Sequence, residues 1–440
     1  MNGLFIFRRD YRTVDNLALH ALSKVCKTII PVFITTPEQT DKNKNDYFSD
    51  NSFQFLVQSL NDLNKQVNNK LIILYGNNSD VIENIFKHNK NITHIAFNED
   101  YTPYSKIRDQ EIIEIAENYD IETIIKEDYT IYERDKIRTG KIPYFSVFKA
   151  FYTKVLKINN PVLVSGKYSF SNNLKLDKKY IKSLKFLEKL YVKNDNVLVK
   201  GGRTNALNIL KKLNQFKDYD VTRNDPNINT TLLSAYIKYG CVSIREVYLD
   251  MIKKVGKENE LTRQLIWHDF YAILMYYLPE SKTIGGSNFK NKKINWVNNK
   301  NYFEKWCNGE TGVPIIDAAM RQLNTVGWMH NRCRLLVSNY LTMVLQIDWH
   351  LGEKYFAKKL IDYDVTSNNL NWQFSTGIGT DRTPYTRIYN PYKQSKDIDK
   401  NCDYIKKWIP ELRDIDCKVI HKWDEMYDTV DVDYPSPIKI

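Results

Sequence analysis

GLFIFRRDYRTVDNLALHALSKV (3–25) places a short apolar run, a charged elbow and a helical apolar pattern in succession. A continuous run of this length suits a strand buried on both faces of a parallel sheet. The same step recurs downstream. TIIPVFI (28–34), KLIILYG (70–76) and ITHIAFN (92–98) read as further strands, with helical patterns at SFQFLVQSLNDLNKQV (52–67) and SDVIENIFKH (79–88) between them. Ser79 and Asp80 are the expected N-cap of the latter. SKIRDQEIIEIAENY (105–119) adds a helix and ETIIKED (122–128) a fifth strand. Residues 1–130 therefore read as a doubly wound α/β domain with a parallel sheet. It contains neither GxGxxG nor GxxxxGK[ST], so a standard dinucleotide or triphosphate loop is not indicated. Arg8, Arg9 and Asp10 follow the first strand, where such sheets place ligands; a solvated loop is the competing reading.

Beyond this point the pattern changes. Residues 131–200 mix short helical pieces with Asn and Lys and read as a long connector, a length that is uncommon unless the segment packs on something. Residues 201–440 read as all-helical, with no convincing strand after residue 130. GRTNALNILKKL begins near Arg203, TTLLSAYIKYG (230–240) closes on Gly240, and Ser243 with Glu246 forms a capping box. LTRQLIWHDFYAILMYYL (261–278), PIIDAAMRQLNTVGWMHNRCRLLVSNYLTMVL (314–345) and EKYFAKKLI (353–361) continue in the same mode, with Pro314 at a helix start.

At 440 residues and 42% hydrophobic content the chain is too long for one core and too apolar for a disordered protein. No apolar run approaches the roughly 20 residues that span a bilayer. The first residues soon carry both charge signs, unlike a signal peptide. Cys26, Cys241, Cys307, Cys333, Cys402 and Cys417 show no metal spacing, and no metal is expected. A reducing compartment, cytoplasmic or nuclear/nucleoid rather than secreted, is expected. The net charge of +12 is uneven: −5 over residues 1–130, +13 over 131–220 and +4 over 221–440. All eight tryptophans lie from Trp267 to Trp423.

Three patches combine polar and aromatic residues. In VGWMHNRCRL (326–335), helical spacing puts Trp328, Asn331, Arg332 and Leu335 on one face and Arg334 elsewhere. Along 261–278 it aligns Gln264, Trp267, His268 and Tyr271, an amide and an indole suited to reading and stacking an extruded base; core packing would look the same. Asp362 and Asp364 precede Ser367, Asn368, Asn369, Asn371, Trp372 and Gln373, a density of hydrogen-bonding groups that needs a ligand or a network.

The run from Trp306 to Asp414, with GWMHNR and the DYD…NNLNWQ stretch, resembles the FAD domain of the photolyase/cryptochrome family. FRRDYRTVDNLAL (7–19) and TTLLSAYIKYG resemble that family's other signatures, so the likeness covers essentially the whole chain. It is strongest to the class I enzymes that repair cyclobutane pyrimidine dimers in DNA. The resemblance implies FAD, fully reduced in the active state, with Tyr219, Thr230, Thr231, Leu232, Leu233 and Ser234 around its phosphates. Arg334, Asp362, Tyr363 and Asp364 would surround the isoalloxazine and ribose, and Asn368 would face flavin N5. A neutral amide there offers no ready proton, which favours repair over signalling. Trp372, Trp349 and Trp306 match an electron-transfer chain, with Trp306 toward solvent.

Gln264, Trp267, Asn331, Arg332, Leu335 and Phe374 match the lesion and DNA contacts, with departures. Gln264 stands where Glu is usual, His268 where Arg is, Leu335 where Met is, and Phe374 where Trp is. The histidines of 6-4 photolyases are absent at Asn331 and Leu335, and His330 is common to both groups. The resemblance further implies an antenna chromophore, a deazaflavin or methenyltetrahydrofolate; the carboxylate of folate-binding members falls on Ser105. Damaged DNA is the expected partner of a monomer. A cryptochrome photoreceptor and a 6-4 photolyase are the alternatives. The chain's end at DYPSPIKI (433–440) leaves no signalling tail on this reading.

Overall fold

The computed structural model describes residues 1–138, 140, 142–228, 230–278, 293–379 and 388–439. Five parallel strands, β1 (Asn2–Phe7), β2 (Thr28–Thr35), β3 (Ile72–Tyr75), β4 (Ile92–Asn98) and β5 (Glu122–Lys126), lie in the order β5-β4-β1-β2-β3. Leu4 pairs in register with Ile30 on one side and Ile95 on the other. Chain order reverses between β1 and β4, the switch point of a doubly wound sheet. The crossovers are α1 (Leu17–Val25), α2 (Asp50–Gln66), α3 (Asn78–His88) and α4 (Pro103–Asn118). Leu4, Ile6, Val32, Leu74, Ile95 and Phe97 pack under Val81, Ile85 and Ile112 of the helices. The α/β domain read from the sequence is therefore present. The cap of α3 is Asn77, not Ser79 or Asp80: its side chain accepts from Ser79 N at 2.9 Å.

The charged elbow after β1 is no solvated loop. Asp10, Arg12, Asp15 and Asn16 are all buried. Asn98 Nδ2 donates to Asp10 at 2.6 Å, and Arg12 pairs with Asp128. Arg245 clamps Asp15 at 2.8 Å and Asp128 at 2.6 Å. Buried charges of this kind persist only when paired.

The segment after β5 is more structured than its composition suggests. It carries α5 (Phe148–Leu156) and a two-residue strand, β6 (Ile181–Lys182), antiparallel to β3. Strand pairing after residue 130 was not expected; two residues are too few to leave a periodic signal. Next come α6 (Arg203–Lys211), α7 (Ile244–Lys254), α8 (Glu260–Tyr277), α9 (Lys300–Asn308), α10 (Pro314–Val326), α11 (Asn331–Asn339), α12 (Trp349–Lys359) and α13 (Val365–Ser375). The continuous helix expected over 314–345 is broken. Gly327 takes φ +68° and caps α10, so Trp328 lies before α11 rather than on its face.

The chain forms two compact units. One holds Met1–Lys193, Val199–Lys217 and Leu233–Leu278, so α7 and α8 belong with the sheet. The other holds Asn194–Leu198, Asp218–Leu232 and the later helices, around a core of Trp306, Met320, Leu323, Val337, Leu341, Phe356 and Trp372. Among the described residues no helix is long and apolar enough to cross a membrane.

Candidate functional site

In the second unit, α11, α12 and α13 converge on one polar cluster. Asp364 caps α13, accepting from Ser367 N at 3.0 Å. Arg334 Nη2 donates to both oxygens of Asp362, at 3.1 and 2.9 Å, while its Nε donates to Met329 O at 2.9 Å. Asn368 Nδ2 donates to Glu353 Oε1 at 3.0 Å, and the Tyr363 hydroxyl donates to the same oxygen at 3.0 Å. Glu353 was not foreseen. Its signal is faint: one acid among the charges of WHLGEKYFAKK, distinguished only by facing inward on α12. With Nδ2 committed to Glu353, the Asn368 amide presents its oxygen as an acceptor.

His330 is 1% exposed and caps α11, its Nδ1 accepting from Arg332 N at 3.2 Å. Burial, reinforced by Arg334, holds its pKa down to about 4, so the ring is neutral with the proton on Nε2. That Nε2 has no partner among the described residues, and neither have Thr366 Oγ1 or Arg332 Nε. Buried polar groups are rarely left so. Unmatched donors beside an Arg–Asp pair, and an amide held in orientation, fit a ligand with a polar ring edge, hydroxyls and phosphate, as FAD has. Thr230, Thr231 and Leu232 approach the short helix Ser234–Lys238 through a left-handed Leu232 (φ +56°), with Leu233 buried and Ser234 exposed. Tyr219 opens the short helix Tyr219–Thr222 and is half-buried.

Trp372 and Trp306 meet edge to face at 6.3 Å between centroids, with Phe356 against both at 5.1 and 6.2 Å. Trp306 does not reach solvent as expected: it is 0% exposed, and its Nε1 donates to Val337 O. Trp349 is buried and stacks on His350 at 3.9 Å. Trp296, overlooked in the sequence, is half-buried. Its neighbours are pinned beside the start of α12, Val297 N donating to Gln346 O at 2.9 Å and Asn298 Oδ1 accepting from Asp348 N at 2.8 Å.

The residues expected at the lesion divide between the units. In the second, Asn331 is exposed, Arg332 and Leu335 are half-buried, and Phe374 is 42% exposed. Arg332 Nη2 donates to Gln394 at 2.7 Å. In the first, Gln264 Nε2 donates back to Glu260 O at 3.1 Å, and Trp267 lies flat on Phe148. His268 packs on Tyr129 at 4.6 Å with the rings tilted by 47°, and bonds Asp269, whose carboxyl burial pushes up.

Residues 4–165 match the family described as DNA photolyase, and residues 261–439 the FAD binding domain of DNA photolyase. A deoxyribodipyrimidine photo-lyase of Buchnera aphidicola is 33% identical, covering 99% of this chain and 93% of that one. The solved archaeal photolyase of Sulfolobus tokodaii, described with two FAD molecules, is 35% identical with a TM-score of 0.88, covering 100% of this chain and 96% of that one. A cryptochrome of Synechocystis has a TM-score of 0.90 at 27% identity, covering 100% and 96%. With both family models matched and relatives similar along almost its whole length, the chain belongs to the photolyase/cryptochrome family.

Proposed function

We propose that the protein is a light-driven DNA lyase that splits cyclobutane pyrimidine dimers, using FAD held in its helical unit. The observation that carries the reading is Asn368 fixed by Glu353 beside the Arg334–Asp362 pair, in a chain with photo-lyase relatives along almost its whole length. When bound and fully reduced, FAD would supply catalytic, light-driven one-electron transfer to the dimer with no net redox change. Arg334, Asp362, Tyr363 and Asp364 would hold its ring and ribose, Asn368 its N5 edge, and Tyr219 with Thr230 to Ser234 its phosphates. His330 Nε2 and Thr366 Oγ1 are further donors toward it.

In the first unit Gln264 would bond a base edge of a dimer turned out of the duplex and Trp267 would pack on a ring; in the second, Asn331 would bond a base edge, Phe374 pack on a ring and Arg332 meet phosphate. Flipping costs least for a damaged, poorly stacked pair. Trp372 and Trp349 relay electrons inward, and the half-exposed Trp296 suits the outer end better than the buried Trp306. A second, light-harvesting chromophore belongs in the α/β unit. Ser105 is buried and its Oγ accepts from Thr102 at 2.7 Å, which disfavours folate there.

The test is illumination of the reduced protein with oligonucleotides carrying either a cyclobutane dimer or a 6-4 product, followed by chromatography. Restoration of the cyclobutane dimer alone is expected. Repair of the 6-4 product, or of neither, would overturn the assignment, the latter in favour of a photoreceptor.

A further inference from the structure

The stretch that composition marks as a connector supplies a ring to the helix of the lesion site. Helix α5 buries Phe148, Phe151 and Val155, and this face packs on α8 through Phe270, at 5.7 Å from Phe148 and 5.5 Å from Phe151. Phe148 then lies cofacial with Trp267, centroids 3.5 Å apart and planes 5° from parallel. Full overlap is the arrangement that two neutral rings least prefer, because their like-charged faces meet. It is imposed by the surroundings. Phe270 presents its edge to both rings, at 80° and 84°, and Tyr271 closes on the indole at 5.4 Å. The Arg263 guanidinium lies over Phe148 at 5.5 Å and over Tyr152 at 5.2 Å, a favourable cation–ring contact. Trp267 nevertheless stays half-buried, so part of its surface remains accessible.

We propose that Phe148 is a positioning residue for lesion recognition. It occupies one face of the Trp267 indole and fixes its plane, so that a dimer ring meets a rigid surface from a single side. The inference rests on the reading that Trp267 packs on the dimer. A preorganised plane matters because an indole free to turn would lose rotamer freedom at each binding event. Phe148 acts only through Trp267 and is not itself a contact to the reacting atoms.

The test compares Phe148→Leu, Phe148→Met and Phe148→Tyr in the FAD-loaded protein. Each is measured for affinity toward an oligonucleotide with one cyclobutane dimer, affinity toward the same oligonucleotide undamaged, and repair of the bound dimer per absorbed photon. Phe148→Leu should weaken dimer binding about tenfold, the scale of one well-placed aromatic pair, while undamaged binding and repair of bound dimer change less than about twofold. Phe148→Tyr should restore dimer affinity, and Phe148→Met serves if the Leu variant fails to fold. Unchanged dimer affinity, equal losses for both oligonucleotides, or lost photon yield at intact affinity would each overturn the proposal. A wild-type protein that does not prefer the damaged strand would sink the repair reading as well, so the two failures are distinguishable.

Discussion

Glu353 offers Asn368 and Tyr363 an acceptor that glutamine would keep and leucine would remove. Glu353→Leu removes the side-chain acceptor shared by two half-buried donors, costing about 2 to 3 kcal/mol by thermal unfolding, and loosens the hold on the Asn368 amide. Its reduced FAD should reoxidise in air several-fold faster than in the wild type, followed by absorbance, whereas Glu353→Gln should stay within about twofold on the argument that a carbonyl acceptor survives. His330 gives a separate, pH-dependent prediction. The unfolded chain takes up this proton at about 6.5 and the folded chain only near 4, so acidification through that window favours unfolding. Asp269 and Asp317, whose carboxyls burial pushes up, act in the opposite sense, so a raw stability curve mixes both. The difference between wild type and His330→Asn isolates the imidazole, since asparagine keeps an N-cap acceptor. Wild type should lose up to about 3 kcal/mol relative to the variant between those pH values, with no further divergence above about pH 7. Parallel unfolding curves would show that the ring titrates normally.

Helix α12 carries Gly352 in its interior, where glycine is unfavourable by about 1 kcal/mol. The cause is a close approach. A Cβ there would lie 2.2 Å from Trp372 Cη2 and 2.5 Å from Leu341 Cδ2. Gly352→Ala should therefore destabilise the helical unit by about 1 to 3 kcal/mol despite its better helix propensity. It should also displace the indole and lower the yield of light-driven FAD reduction in transient absorption. A stabilised variant with normal yield would show that the neighbours give way. Elements of this kind differ in how much the chain discloses. The parallel strands are legible because most of them are nearly continuous apolar runs, and the Ser243–Glu246 capping box forms with both its bonds. The break at Gly327 is not, because apolar spacing runs on across it and only the left-handed φ reveals the turn. Glu353 hides for the converse reason: one acid on a charged helix looks solvated until the fold turns it inward. Of the elbow residues Asp10 is legible as special but not as internal, and Arg12 and Asp15 are not legible at all, since their partners Asp128 and Arg245 come from distant segments.

Across the whole molecule, net charge and site disagree in position. The excess of +13 over residues 131–220 includes two groups of exposed lysines. Lys178, Lys179 and Lys185 are exposed around β6, beside the outer edge of the sheet, where lysine also guards a short edge strand against unwanted pairing. Lys149 and Lys154 are exposed on α5, the helix that packs on α8 and its Trp267. On the proposed reading only the second pair belongs to the surface that would meet the lesion, and the first contributes long-range attraction that salt screens. Each phosphate neutralised adds about 0.7 to 0.9 to the slope of log affinity against log salt. Replacing Lys149 and Lys154 by Gln should therefore lower that slope for dimer-containing DNA by about one to two, and Arg332→Gln by about one. The triple change of Lys178, Lys179 and Lys185 to Gln should leave it unchanged while slowing association at low salt. A salt titration on the three variants decides the point. If the triple change lowers the slope by about two or more, the edge of the sheet lies on the DNA path, and the connector binds DNA along its length rather than through α5 alone.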